Sequence, residues 1–312
     1  MNVIEWLLEG DLNLQYLTAK YLLDQPLDHG TGGYIDRYLD LYDEEFQGWG
    51  GGIYSPKWIS STYTLLELKY LEIQPDHPFY QAATRKTLDG LWPDKGWTNR
   101  SRYQDLCVAA MVLSLVCYGR IRDERTEEII DFILAHQMGD GGWNCDWDSS
   151  IHSSTVGSVH TTMSVLEALA DYETFGYTCR LPDAQLKRVQ GEEYLLSRRL
   201  VRSLRTGEII HPDLVTFHYP CRWKYDCFRA LEYFARSGHP YDERMQEALR
   251  LVHAALQKGY VNRGKRYSGL IHFPLESGRQ GRFNTFRALL ILKQYDSIAY
   301  RKILPTDFSY KG

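Results

Sequence analysis

The chain lacks long apolar runs: no stretch of its 312 residues approaches the ~20 that a membrane-spanning helix needs, so no transmembrane segment is expected. Its opening residues, MNVIEWLLEGD, are acidic, with neither a basic n-region nor a cleavage site. That pattern leads to the expectation of no signal peptide and a cytoplasmic location. It also lacks an excess of either charge. Thirty-six Lys and Arg stand against 40 Asp and Glu, a net charge of −4, which gives no reason to expect nucleic-acid binding. CxxC spacing is absent as well: the six cysteines, at 107, 117, 145, 179, 221 and 227, are expected to be reduced thiols, most of them small core side chains. No Pro/Ser/Gly-rich linker divides the chain, so residues 1–312 are read as one domain.

Aromatics are what the chain has in abundance, 13% of its residues, with Tyr outnumbering Phe 23 to 11. Buried Tyr and Trp need partners for OH and NH, so this composition suits a lined cavity or a wet interface. The tryptophans sit in recurring glycine loops: GWGGG at 48–52, KGW at 95–97, DGGW at 140–143 and a fainter KGY at 258–260. Trp49 and Trp97 are 48 residues apart, and Trp97 and Trp143 are 46 apart, a helix-pair period. Apolar helices are predicted over roughly 12–23, 59–73, 103–118, 158–175, 222–237 and 282–296 from their 3.6-residue periodicity. More polar helices are predicted over roughly 35–45, 78–91, 124–137, 184–200 and 241–258, with a terminal segment near 2–9. About six pairs fit an all-α (α/α)6 toroid, the apolar helices inside and the charged ones outside.

The segment FILAHQMGDGGW, 132–143, resembles the QW motif of squalene and oxidosqualene cyclases through Phe132, Ile133, Gln137, Gly141 and Trp143. With the repeated pairs, the chain looks like a member of the terpenoid cyclase and prenyltransferase toroid superfamily. The resemblance implies structural roles for two residues: Gln137 caps a helix end and Trp143 stacks on it. It implies a squalene cyclase-like or prenyltransferase-like enzyme, with an isoprenoid-type substrate bearing a polar end in a central cavity. Acid-initiated cyclisation is one such reaction, an isomerase chemistry. At this length the chain supplies one toroid, which favours a substrate smaller or more polar than squalene.

In such a toroid the inner-helix starts ring one mouth, where unpaired NH groups and the positive dipole end favour an anionic group. Those starts are polar here: Trp58, Ser61 and Tyr63; Arg102, Tyr103 and Asp105; His152 and His160; Arg222, Trp223, Tyr225 and Asp226; Arg282, Asn284 and Arg287. Arg and Asp on an inner wall must pair with one another or serve a ligand. The segment at 141–162 adds Asp146, Trp147 and Asp148. Asp146-Trp147-Asp148 resembles the first three positions of the cyclase D-x-D-D motif, so Asp148 maps onto the proton donor, with Ser149 in place of the last Asp. A second register, counted back from VLEALA, puts His160-Thr161 at the acidic pair.

The candidate catalytic residues are therefore Asp146, Asp148, His160 and Asp226. The candidate substrate-binding residues are Trp58, Tyr63, Arg102, Tyr103, Asp105, Trp147, His152, Arg222, Trp223, Tyr225, Arg282 and Arg287. A zinc site would need Cys145 with His152 or His160, or Asp226 with Cys227, and neither spacing is a zinc signature, so no metal or cofactor is assigned. The expected partner is a small molecule. Two other readings remain: a carbohydrate-active lyase or hydrolase on the same toroid, and a non-catalytic toroid that binds a ligand or partner.

Overall fold

A computed structural model describes residues 2–304 except 26, 29, 94–104, 148–153 and 277. The described residues form thirteen α-helices and no strand, only isolated β-bridges. In chain order the helices are α1 (Val3–Leu8), α2 (Leu12–Leu17), α3 (Tyr34–Leu39), α4 (Ser61–Tyr70), α5 (Pro78–Leu91), α6 (Leu106–Tyr118), α7 (Arg125–Ala135), α8 (Val159–Thr174), α9 (Leu181–Ser197), α10 (Cys227–Arg236), α11 (Gln246–Leu256), α12 (Arg282–Tyr295) and α13 (Ser297–Arg301). A π-helical turn, Thr18–Leu22, extends α2. Helices occupy the segments whose periodicity predicts them. Among the described residues no helix is long and apolar enough to cross a membrane.

Local chemistry sets the helix ends. Asn2 and Glu5 form a capping box on α1, Asp11 caps α2, and Pro78 opens α5 where no NH is needed. Gly176 and Gly238 follow α8 and α10 at φ of 75° and 67°, the left-handed conformation that releases the chain from a helix. The polar helices bury one stripe. In α5 it is Tyr80, Ala83, Thr84, Thr87 and Leu88, at helical spacing. The apolar helices are buried nearly all round: every residue of α6 except Cys107 is buried.

The apolar helices pack side by side in two runs, α4 on α6 on α8, and α10 on α12 on the π-turn. Polar contacts link the runs. Arg229 of α10 holds Glu167 of α8 through Nε–Oε1 and Nη2–Oε2 bonds of 2.9 and 2.6 Å. At the other junction Lys20, Tyr16 and Tyr21 all reach Glu72, just beyond α4. The polar helices lie behind them, α5 on α4 and α6, α7 on α6, α9 on α8, and α11 on α10 and α12.

The glycine loops are structural clips between successive helices. Trp143 is fully buried, and its Nε1 donates to Ile133 O near the end of α7 at 2.8 Å. Its backbone NH donates to Thr162 Oγ1 at 3.0 Å, which donates back to Trp143 O at 3.3 Å. Trp49 repeats the arrangement: Nε1 donates to Tyr38 O at 2.7 Å, and the backbone NH to Ser61 Oγ at 3.0 Å. The third copy is shifted by one residue from the KGY motif, since Val261 NH donates to Thr285 Oγ1 at 2.9 Å. The KGW copy lies outside the described residues. Gly142 is obligatory in its loop, because a Cβ there would come within 2.7 Å of the Tyr194 ring. Gln137 Nε2 donates to Gly141 O and to Lys187 O at 2.8 and 2.9 Å, tying the loop to the middle of α9 rather than capping a helix end.

Candidate functional site

A cavity of about 840 Å³ lies among the apolar helices, lined from the π-turn, α4, α6, α8 and α10. It reaches the C-terminal ends of these helices, at Glu72 and Gln74, at Thr174 and Phe175, and at Arg236 and Ser237. The side chains that line it come at helical spacing: Tyr63, Glu67 and Tyr70 on α4; Met111, Ser114 and Tyr118 on α6; Ser164, Glu167 and Asp171 on α8; Arg229, Glu232 and Arg236 on α10. Polar side chains thus recur at helical spacing inside the apolar pattern of α4, α8 and α10, and Ser114 adds one from α6.

Every charge on this lining has an opposite partner on the same lining. Lys20 pairs with Glu72 and Lys69 with Asp171; Arg188 pairs with Glu173 at 3.3 Å and Arg222 with Glu67 at 3.1 Å; Arg229 pairs with Glu167 and Arg236 with Glu232 at 2.6 and 3.0 Å. Ser114 Oγ bridges one pair, accepting from Lys69 at 2.7 Å and donating to Asp171 at 2.6 Å. Tyr70 OH donates to Glu232 Oε1 at 2.8 Å. The cavity is thus strongly polar, with no surplus of either sign while Glu67 is ionised.

Within this set Glu67 differs. It is buried, its Oε1 accepts from Arg222, and its Oε2 has no hydrogen-bond partner. Burial outweighs Arg222 and lifts its carboxyl to about 7. Burial raises Asp171 as well, against the pull of Lys69. Glu232 moves the other way, because Arg287 and Arg236 together overcome its burial.

A second cavity, about 60 Å³, shares Glu67, Tyr219, Pro220 and Arg222 with the first, so the Glu67–Arg222 pair stands between the two. It lies at the start of α4, under residues 263–276. Backbone bonds of 3.1 and 3.0 Å pin that segment down, Trp58 N to Leu270 O and Leu270 N to Lys57 O. Trp58 Nε1 donates to Ser268 O, and His272 Nε2 meets Thr64 Oγ1 at 2.9 Å. Glu276 also lines this cavity; burial raises it to about 7, although its Oε1 accepts from Phe283 NH at 2.7 Å.

Three of the residues singled out from the sequence line these cavities: Trp58 the smaller, Tyr63 the larger, Arg222 both. The other described candidates stand apart from the two linings. Asp226 is fully buried as the N-cap of α10, its Oδ1 accepting from Arg229 NH at 2.8 Å. Arg287, also fully buried, donates to Glu232 Oε2 and His218 O at 2.6 and 2.8 Å. Tyr225 OH donates to Leu200 O at 2.6 Å, and its NH to His160 Nδ1 at 2.8 Å. That bond makes His160 Nδ1 an acceptor; burial, then Arg229 and Lys224, lower the imidazole to about 4, so it is neutral at pH 7. Trp223 packs edge-on to His160. Arg282 lies over Trp6 and donates to its carbonyl. Trp147 packs on His136 of the α7 end. Asp146 is exposed in the loop after Trp143, and Asp105 is half-buried at the N-cap of α6 without a capping bond. Arg102, Tyr103, Asp148 and His152 lie outside the described residues. Among the described residues no three His, Cys, Asp or Glu side chains converge as a metal site.

Sequence reading missed Glu67, Lys69, Glu167, Asp171, Arg229, Glu232 and Arg236. The available signal was their i, i+3/i+4 recurrence inside otherwise apolar helices, at Glu167 and Asp171 and at Arg229, Glu232 and Arg236. Compared with protein-family models, curated proteins and solved structures, the chain matches none.

Proposed function

We propose that the six apolar helices close an α/α toroid, and that the chain is an enzyme acting on an uncharged, hydroxyl-rich small molecule in the central cavity. Among the readings open from the sequence this is the carbohydrate-active one. The observation that carries it is Glu67: a buried carboxyl lining the cavity, one oxygen held by Arg222 and the other without a partner, titrating about where a general acid–base works best. The pairing of the other lining charges, Lys69 with Asp171, Arg229 with Glu167 and Arg236 with Glu232 among them, supports a neutral ligand. A diphosphate would have to break ion pairs to find a cation, whereas hydroxyl groups bond to paired carboxylates and guanidinium groups without unbalancing them.

In this reading protonated Glu67 donates its proton from Oε2 to the leaving oxygen as its C–O bond breaks, water adds to the carbon and gives up a proton to solvent, and Arg222 holds the carboxylate that remains. Tyr63, Tyr70 and Tyr219 supply aromatic faces. The isoprenoid reading, with its acid-initiated cyclisation, draws support from the Trp clips and the paired helices, which bear on architecture, and less from this charged lining.

The test is a turnover screen of neutral oligosaccharides against isoprenoid diphosphates, with wild type and Glu67→Gln. The expected result is turnover of a neutral sugar, with kcat lower in the variant by about 10²–10⁴-fold. Its pH profile should also lose the limb near 7. Turnover of diphosphates alone, or undiminished kcat in a folded variant, would overturn the proposal.

A further inference from the structure

Two of the six cysteines meet away from the central cavity. Cys107 lies in the first turn of α6, and Cys145 in the loop between the Trp143 clip and α8. Cys107 NH donates to Cys145 Sγ at 3.3 Å, which sets the two cysteines side by side. Thr161 Oγ1 lies 3.4 Å from the same sulfur. A backbone NH and a hydroxyl thus meet one sulfur, and the NH belongs to the start of a 13-residue helix, where the dipole favours negative charge. Both cysteines are half-buried, and both are free thiols.

From this geometry we infer that Cys145 and Cys107 form a dithiol site that reduces hydroperoxides, with Cys145 the attacking and Cys107 the resolving thiol. The remaining cysteines are poorly placed for this chemistry. Cys117 and Cys227 are buried, Cys221 donates to His218 O at 3.2 Å, and Cys179 lies beside Glu127, whose charge opposes a thiolate. The neighbouring Cys107 and Thr161 lower Cys145 against its burial, whereas Cys117, Cys179, Cys221 and Cys227 are all raised.

In the first step the Cys145 thiolate attacks the peroxide: an S–O bond forms, the O–O bond breaks, and the leaving hydroxide or alkoxide takes up a proton. The Cys107 sulfur then attacks the Cys145 sulfenic acid. An S–S bond forms, the S–O bond breaks, and hydroxide leaves with the Cys107 proton as water. Two thiols give up two electrons to one hydroperoxide, and an added dithiol returns them by exchange.

The whole chain, treated with one equivalent of hydrogen peroxide, is to be followed by thiol titration and peptide mapping. The expected result is loss of two of the six thiols together, with a Cys107–Cys145 peptide pair lighter by two hydrogens and restored by dithiothreitol. Cys145 should react at least about tenfold faster than Cys179. In Cys107→Ser no disulfide forms, and dimedone should trap a sulfenic acid on Cys145; in Cys145→Ser no adduct should appear on Cys107. Oxidation starting at another cysteine, or Cys107 and Cys145 still alkylated after peroxide is consumed, would overturn the inference. Mapping of the wild type decides the matter even if a variant fails to fold.

Discussion

Glu67 shows how far surroundings can move one side chain. In the unfolded chain its carboxyl titrates at 4.5, and in the folded chain at about 7. Between those values the folded state keeps a proton that the unfolded state releases. The stability this group contributes is therefore full below pH 4.5 and is lost as the pH rises through about 7. Glu67→Gln keeps an amide at the site at every pH and removes that loss. The melting difference between variant and wild type should accordingly move in favour of the variant from pH 5 to pH 8, by on the order of 2–3 kcal/mol. Thermal denaturation at matched ionic strength measures it; a constant difference would mean that Glu67 is ionised throughout. Nothing in STYTLLELKY marks Glu67 off from an ordinary helix-surface Glu, because the shift comes from burial between helices distant in sequence.

Each clip joins a loop residue to a hydroxyl in the first turn of the next apolar helix. The Gly-Trp half is legible in the sequence as a repeat. The hydroxyl half is not, since the partners lie 12, 19 and 24 residues downstream at Ser61, Thr162 and Thr285, with no common spacing. Only the helix registers bring them together. Thr162→Val keeps the shape of the side chain but leaves the buried Trp143 NH without its acceptor. It should cost about 1–3 kcal/mol in urea unfolding, with Trp143 fluorescence and far-UV dichroism falling in one transition. A midpoint within error of wild type would leave the clip without energetic weight. The opposite lesson comes from Asp226 and Arg287. Their residue types suggested ligand contacts, but a helix start needs a capping acceptor and Glu232 needs a buried cation, and those demands absorb them.

The two ends of the described chain meet. Asn2 Nδ2 donates to Ile303 O at 2.7 Å, Tyr300 OH donates to Leu22 O at 2.6 Å, and Lys293 bridges Asp24 and Tyr21 O. Ile4 and Leu7 of α1 are buried in the common core. Deleting residues 1–9 should therefore lower global stability by about 3–6 kcal/mol, the burial of two large aliphatic side chains. Calorimetry should show a single transition at a lower temperature, and an unchanged midpoint would mean that the contact between the ends contributes no stability. By itself the sequence determined the helical class, the succession of apolar and polar helices and the clip loops, because 3.6-residue periodicity, prolines, glycines and capping side chains act within a turn or two of chain. Only the tertiary structure decided where the cavity lies. Segment 263–276 covers the start of α4, and the polar stripes of five separate segments meet toward the C-terminal ends of the helices. Their charges are tolerable there because each finds its opposite on a neighbouring element or one turn along its own helix, and such pairing is a property of packed helices that no single stretch of sequence carries.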